Sequence, residues 1–184
     1  MALGAAVSAM AAQNIGAGKW DRVSQITRSG VGYTVLITGV LIVLLTLADR
    51  PVLALFMGGG SPALPIARHI HLLATWNFVL FGVTMVLFGT VRANGAVWAP
   101  LIILAIGLVP VRFGWILGTQ HWLGSDALWS SFPVSSLVNL GLAAAYYLNG
   151  SWKKARMTVQ PSAEECLEEA EATREPGGAL NPAG

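Results

Sequence analysis

Four stretches of the chain, residues 29–48, 72–91, 93–111 and 127–152, carry no charged side chain. Each matches or exceeds the roughly 20 apolar residues that a helix needs to cross the hydrocarbon core of a bilayer. Backbone N–H and C=O groups meet no water in lipid, so each stretch must satisfy its own hydrogen bonds as a helix. The chain reads as an all-α, polytopic helical membrane protein with four full transmembrane helices.

Composition agrees. Apolar residues make up 54% and charged residues 11%, with a mean hydropathy of +0.62; a soluble domain carries about 25% charged residues. The net charge of +2 lies in short basic patches beside the spans and offers nucleic acid no extended surface. Cys166 is the only cysteine. That excludes a disulfide framework and a cysteine-based metal site.

The chain divides into three regions. Residues 2–12 are rich in Ala, Gly, Ser and Met, too short to span and without the basic start of a signal peptide. They read as the second half of a small-residue helix whose first half precedes this sequence; the alternative is a short re-entrant or interfacial segment. Residues 19–152 hold the four spans. The first and second are separated by residues 49–70, where Pro51, Gly58, Gly59, Gly60, Pro62 and Pro65 punctuate the chain, around a brief apolar piece at 51–57. Arg92, Ala93, Asn94 and Gly95 mark a tight turn between the second and third spans, and residues 119–126 a loop between the third and fourth. From Lys153 onward the chain turns polar, with six glutamates. Ser162 and Glu165 have capping-box spacing, so a short solvated helix to Arg174 is expected, followed by a disordered end.

Lys19, Arg22, Arg28, Arg92, Lys153, Lys154 and Arg156 fall on one side of the membrane. Arg50 and Arg68 fall on the other, with Arg112 reaching toward it. Positive residues gather in the cytoplasm, which places the C-terminus inside. Trp20, Trp98 and Trp152 then lie at the inner interface, and Trp122 and Trp129 at the outer.

No acidic residue lies within a span: the nine are Asp21, Asp49, Asp126 and six in the tail. Ion-coupled transport usually relies on an intramembrane carboxylate, so any cation-coupling group is absent from this chain or replaced by neutral groups. Arg112 is the one charge inside an apolar stretch. Either it lines a pathway, or it snorkels to the headgroups, since Gly118 would place the helix end roughly 9 Å away. Pro110 should bend this helix. Asn77, Phe81, Thr84 and Phe88 recur at helical spacing and share one face. That face suits a cavity for an organic cation, or an ordinary polar helix–helix contact. His69, His71 and His121 all fall on the outer side, and without a completing carboxylate they form no metal site. Nothing resembles a catalytic set, which argues against an enzyme, and no cofactor is implied.

Ala5, Ala6, Val7, Ser8, Ala9 and Met10, followed by Gln13-Asn14-Ile15-Gly16-Ala17-Gly18-Lys19-Trp20-Asp21-Arg22-Val23, resemble a helix and turn of the multidrug and toxic compound extrusion (MATE) transporters. Gly89-Thr90-Val91-Arg92-Ala93-Asn94-Gly95, with Pro100 beyond it, resembles their turn between helices ten and eleven. Trp129, Pro133 and Gly150-Ser151-Trp152-Lys153-Lys154 are similar to the end of helix twelve. The resemblance covers residues 1–157 and leaves 158–184 as a polar cytoplasmic tail.

It implies a twelve-helix transporter of two lobes that rock about a central site, with this chain supplying the end of helix eight and helices nine to twelve. Such a protein sits in a plasma membrane, here a bacterial inner membrane. It exports cationic amphipathic compounds in exchange for H⁺ or Na⁺. Its partners are the bilayer, the N-terminal lobe and small organic cations. Asn77, Phe81, Thr84, Phe88 and Arg112 are the expected pathway residues. Some family members place a cation-binding aspartate in helix ten, near the position of Phe81; no acidic residue is found there. Two other readings stay open: a lipid or polysaccharide flippase of the same superfamily, and a stand-alone membrane subunit that scaffolds a partner.

Overall fold

Long apolar runs in a bilayer, where backbone N–H and C=O groups meet no water, leave this backbone only helices. The computed structural model of the chain describes residues 2–58 and 60–154. In order it contains α1 (Ala2–Gly16), α2 (Trp20–Leu47), α3 (Asp49–Met57), α4 (Leu64–Ala74), α5 (Asn77–Ala93), α6 (Trp98–Ile106), a π-helical turn (Gly107–Val111), α7 (Arg112–Leu123), α8 (Asp126–Asn149) and a final 3₁₀ turn (Ser151–Lys154). No strand occurs among the described residues. Four helical segments are long and apolar enough to cross a membrane: Trp20–Leu47, Leu64–Ala93, Trp98–Leu123 and Asp126–Asn149. The fold is all-α and polytopic. The expected helix from Ser162, Cys166 and the polar tail lie outside the described residues.

The helices overrun the uncharged stretches. α2 starts at Trp20, so Arg22 and Arg28 are helical. Absence of charge marks only the length that lipid can hold, while a helix continues into the headgroup layer. The largest correction concerns the third crossing. It starts at Trp98 rather than residue 93, because Gly95 takes a left-handed φ of 83° and closes the turn after α5. It ends at Leu123, so the expected loop at 119–126 shrinks to Gly124 and Ser125. Gly114 and Gly118 do not stop it: a glycine within a helix costs only about 1 kcal/mol, and Trp115, Ile116 and Leu117 carry the apolar run onward. His121 therefore lies in the last turn of α7. The second crossing is interrupted at Thr75 and Trp76, where the Thr75 hydroxyl donates to the His71 carbonyl.

α5 is the centre of the bundle, packed against α1, α2 and α8. From Val86 to Val91 every residue is buried. Lipid gives apolar helices little reason to associate, so close backbone approach and cross-helix hydrogen bonds must serve. Both are present. A Cβ on Gly89 would stand 2.5 Å from the Gly4 carbonyl oxygen of α1. The hydroxyls of Thr27 on α2 and Thr90 on α5 bond at 2.9 Å. The other face of α2, including Leu36, Val40, Leu41, Val43 and Leu44, is exposed and suits contact with acyl chains.

The two ends differ. At one, Trp152 stacks on Tyr147 with centroids 5.4 Å apart and meets the edge of Trp20 at 5.9 Å. Asn94 Nδ2 donates to the Trp152 carbonyl at 2.7 Å. At the other, Arg68 Nε donates to Asp49 Oδ2 at 2.6 Å and His69 Nε2 meets Asp126 Oδ2 at 2.9 Å.

Candidate functional site

α8 presents a polar strip to the bundle. Ser131, Ser135 and Asn139 recur every four residues, so they share one face, and all are buried together with Ser136. The hydroxyls of Ser131 and Ser135 donate to Leu128 and Phe132 carbonyls of their own helix. The Ser136 hydroxyl instead crosses to α5 and donates to Asn77 Oδ1.

Opposite Asn139 lies the π-turn. Pro110 has no N–H, and its ring would clash with the carbonyl four residues earlier. The ladder opens there into a wider i→i+5 turn. Gly107 begins this turn, and the Asn139 amide rests directly against its backbone: a Cβ on Gly107 would stand 2.1 Å from Asn139 Oδ1. That oxygen is buried and has no hydrogen-bond partner among the described residues. A lost partner of this kind costs about 1–3 kcal/mol.

Arg112 resumes the α-helix after the turn. Eleven residues separate it from Leu123, about 16 Å of helix, rather than the shorter distance that an end at Gly118 implied. The guanidinium carbon stands 3.5 Å from the centroid of Phe132, and Phe132 is stacked with Trp129 at 6.2 Å. Phe132 lies six residues into α8, about 9 Å below its end. The side chain thus leans toward the nearer end but stops on an aromatic ring within the apolar layer. Trp115 Nε1 donates to Ser130 Oγ at 3.1 Å and pins α7 to α8 beside it.

Of the expected pathway residues, Asn77 and Arg112 both meet α8, one helical turn apart, through Ser136 of the strip and Phe132 beside it. Phe81 is half-buried on α5. Thr84 is buried and donates to its own Leu80 carbonyl at 2.8 Å. Phe88 is 2% exposed, packed with Leu87, Ile103 and Ala143. The face of α5 is therefore occupied by helix contacts over its C-terminal half. A cavity of about 540 Å³ lies elsewhere, between α1 and α2, lined by Met10, Asn14, Arg22, Gln25 and Tyr33 among others. Sequence reading missed Asn139, Ser136 and Phe132. The four-residue recurrence of Ser131, Ser135 and Asn139 was the available signal.

No carboxylate faces this strip among the described residues. Asp21 starts α2 at the Trp20 end, whereas Asp126 begins α8 five residues before Ser131 and is paired with His69, and Asp49 is paired with Arg68 at that same end. There the hydrogen bond from Arg68, aided by the Arg50 backbone, holds the Asp49 carboxyl below the usual carboxylate range against the opposing effect of burial.

Known proteins resemble this chain over most of its length. A probable multidrug resistance protein of Bacillus subtilis (strain 168), YoeA, is 35% identical over 160 residues, which cover 86% of this chain and 34% of that protein. A second probable multidrug resistance protein of the same organism, YpnP, is 30% identical over 160 residues, covering 87% of this chain and 36% of that protein. The chain spans about a third of the length of these curated relatives. No solved structure matches. The MatE family model matches residues 1–115, from α1 through α5 to the first turn of α7. With more than half of its length under that match, and with a bundle of membrane-length helices to carry it, the chain belongs to the MatE family of membrane transporters.

Proposed function

We propose that the chain belongs to a secondary active efflux transporter that exports cationic, amphipathic drugs and toxic compounds in exchange for H⁺ or Na⁺. The observation that carries this is the family match together with two relatives that bear multidrug resistance names. The remaining two thirds of the transporter, as the relatives' length suggests, supply a second lobe. Alternating access needs two bodies that move against each other around a shared site. The coupling carboxylate belongs to that other lobe, because the uncharged stretches here contain none and Asp21 and Asp126 stand only in the first turns of α2 and α8. The protein acts as a carrier and not as an enzyme.

Asn77, Phe81 and Arg112 lie on the substrate route along α8, while Thr84 and Phe88 fix α5 behind them. The end with Trp20, Trp152 and Lys153 faces the cytoplasm of a bacterial cell, following the bias of positive charge. The test is drug export. The reading frame that contains this chain, at its natural extent, is expressed in an efflux-deficient bacterium, and ethidium efflux is followed by fluorescence. Energised efflux that collapses with the ion gradient is expected. No efflux of any cationic dye from a correctly inserted protein refutes the proposal.

A further inference from the structure

The described spans contain an arginine with no ionic partner, and its surroundings are specific. The ion pairs among the described residues are Arg68–Asp49 and His69–Asp126, both at the outer end, and no hydrogen bond from the Arg112 guanidinium occurs within the described chain. The guanidinium carbon stands over the Phe132 ring, 3.5 Å from its centroid, a separation that planar groups reach by stacking face to face. Phe132 and Trp129 form a stacked pair beneath it, inclined by only 13°. Stacking satisfies the face and leaves the edge, where a guanidinium carries five N–H donors in a planar fork. An uncompensated charge in an apolar layer is costly, and a fork of this shape matches the oxygens of a carboxylate, sulfonate or phosphate. Beside it, Phe113 and Leu117 share an exposed face of α7, at 60% and 68%, long enough to receive an alkyl or aryl tail.

We propose that Arg112, held on the Phe132–Trp129 stack, binds the anionic group of an amphipathic molecule within the membrane. The site widens the range of the transporter from cations to amphiphiles that carry a negative group, alone or with a positive one. This rests on the efflux reading only in treating the bound molecule as cargo. The anion can arrive on a soluble amphiphile or on an acidic lipid, and the chemistry is the same for both.

The test is binding, measured without transport. The chain is placed in phosphatidylcholine nanodiscs and titrated with dansylamino-undecanoate, and energy transfer from tryptophan to dansyl is recorded. Saturable transfer is expected for the carboxylate probe and not for the matching dansyl-undecylamine. Arg112→Gln should weaken the carboxylate probe roughly tenfold or more, the scale of a lost charge-assisted hydrogen bond. Arg112→Lys should fall between, since it keeps the charge and loses the fork. On the wild-type chain, dodecyl sulfonate should displace the probe and dodecylamine should not, which holds the test open if Arg112→Gln fails to insert. Displacement by phosphatidylglycerol added to the disc identifies lipid as a source; its failure leaves the soluble amphiphile. Equal binding of the carboxylate and amine probes, or an unchanged affinity in Arg112→Gln, overturns the site. Anion binding by the chain, with no drug export by the reading frame at its natural extent, would sink the efflux reading and leave the site standing.

Discussion

Gly107→Ala is the sharpest test of the packing around the π-turn. The added Cβ would stand 2.1 Å from Asn139 Oδ1, 2.3 Å from Nδ2 and 2.4 Å from Cγ. An ordinary contact begins near 3.4 Å, so about 1.3 Å of clearance must be found. Flipping the amide does not help, because all three of its heavy atoms are too close. The asparagine must leave its rotamer, or α8 must move off the turn. Overpacking of this kind costs about 1–3 kcal/mol. Asn139→Ala removes both the obstacle and a carbonyl oxygen that has no partner, and we expect it to lie within about 1 kcal/mol of wild type. The double variant should then match Asn139→Ala alone, giving a coupling energy of about 1–3 kcal/mol between neighbours in contact. Helicity followed through an SDS titration in mixed micelles measures all four proteins. A Gly107→Ala chain as stable as wild type, or a double variant as weak as Gly107→Ala, would refute the contact.

Gly89→Ala should loosen α1 from α5, since the obstructing atom is the Gly4 backbone oxygen and cannot swing aside; about 1–3 kcal/mol is expected, and an unchanged SDS midpoint contradicts it. Thr27→Val should cost about 0.6 kcal/mol, the average for a hydrogen bond between membrane helices, and adding Thr90→Val should cost little more, because no polar group is then stranded. Asp49 should titrate below the ordinary aspartate value of about 3.9, and Arg68→Gln should return it toward that value, read by carboxyl ¹³C NMR. Because the folded carboxyl is the more acidic, its stabilising effect is complete above that ordinary value and is lost as pH falls through the folded one. The 184-residue chain reconstituted alone in liposomes should show no drug–cation exchange; measurable exchange would remove the need for a second lobe.

Most of the architecture was legible because lipid imposes one rule on every residue of a span. The uncharged stretches located four crossings, and Gly95 marked a real turn. Boundaries were less legible where a weak helix former stood in for a stop. Gly118 suggested an end that the apolar residues around it override, and this misplaced both His121 and the depth of Arg112. Pro110 announced a bend, but not that the ladder would widen into a π-turn over a glycine. The candidate site was harder. Spacing put Asn77, Phe81, Thr84 and Phe88 on one face, yet which partner covers each stretch of that face is a tertiary fact. Asn139 carried no local signal of being pressed against Gly107, since 32 residues separate them in sequence.

The two halves of the bundle are fastened in different ways. Toward the end with Trp20 and Trp152, helices are joined by continuous close packing, from Val86 to Val91 on α5 and onto Ile103 and Ala143. Toward the other end they are joined by separate polar links: Asn77 to Ser136, His69 to Asp126, Arg68 to Asp49. Close packing yields only as a block, whereas isolated links can break independently, each at modest cost. The bundle is built like a pair of tweezers, riveted at the end of the aromatic cluster and latched at the other.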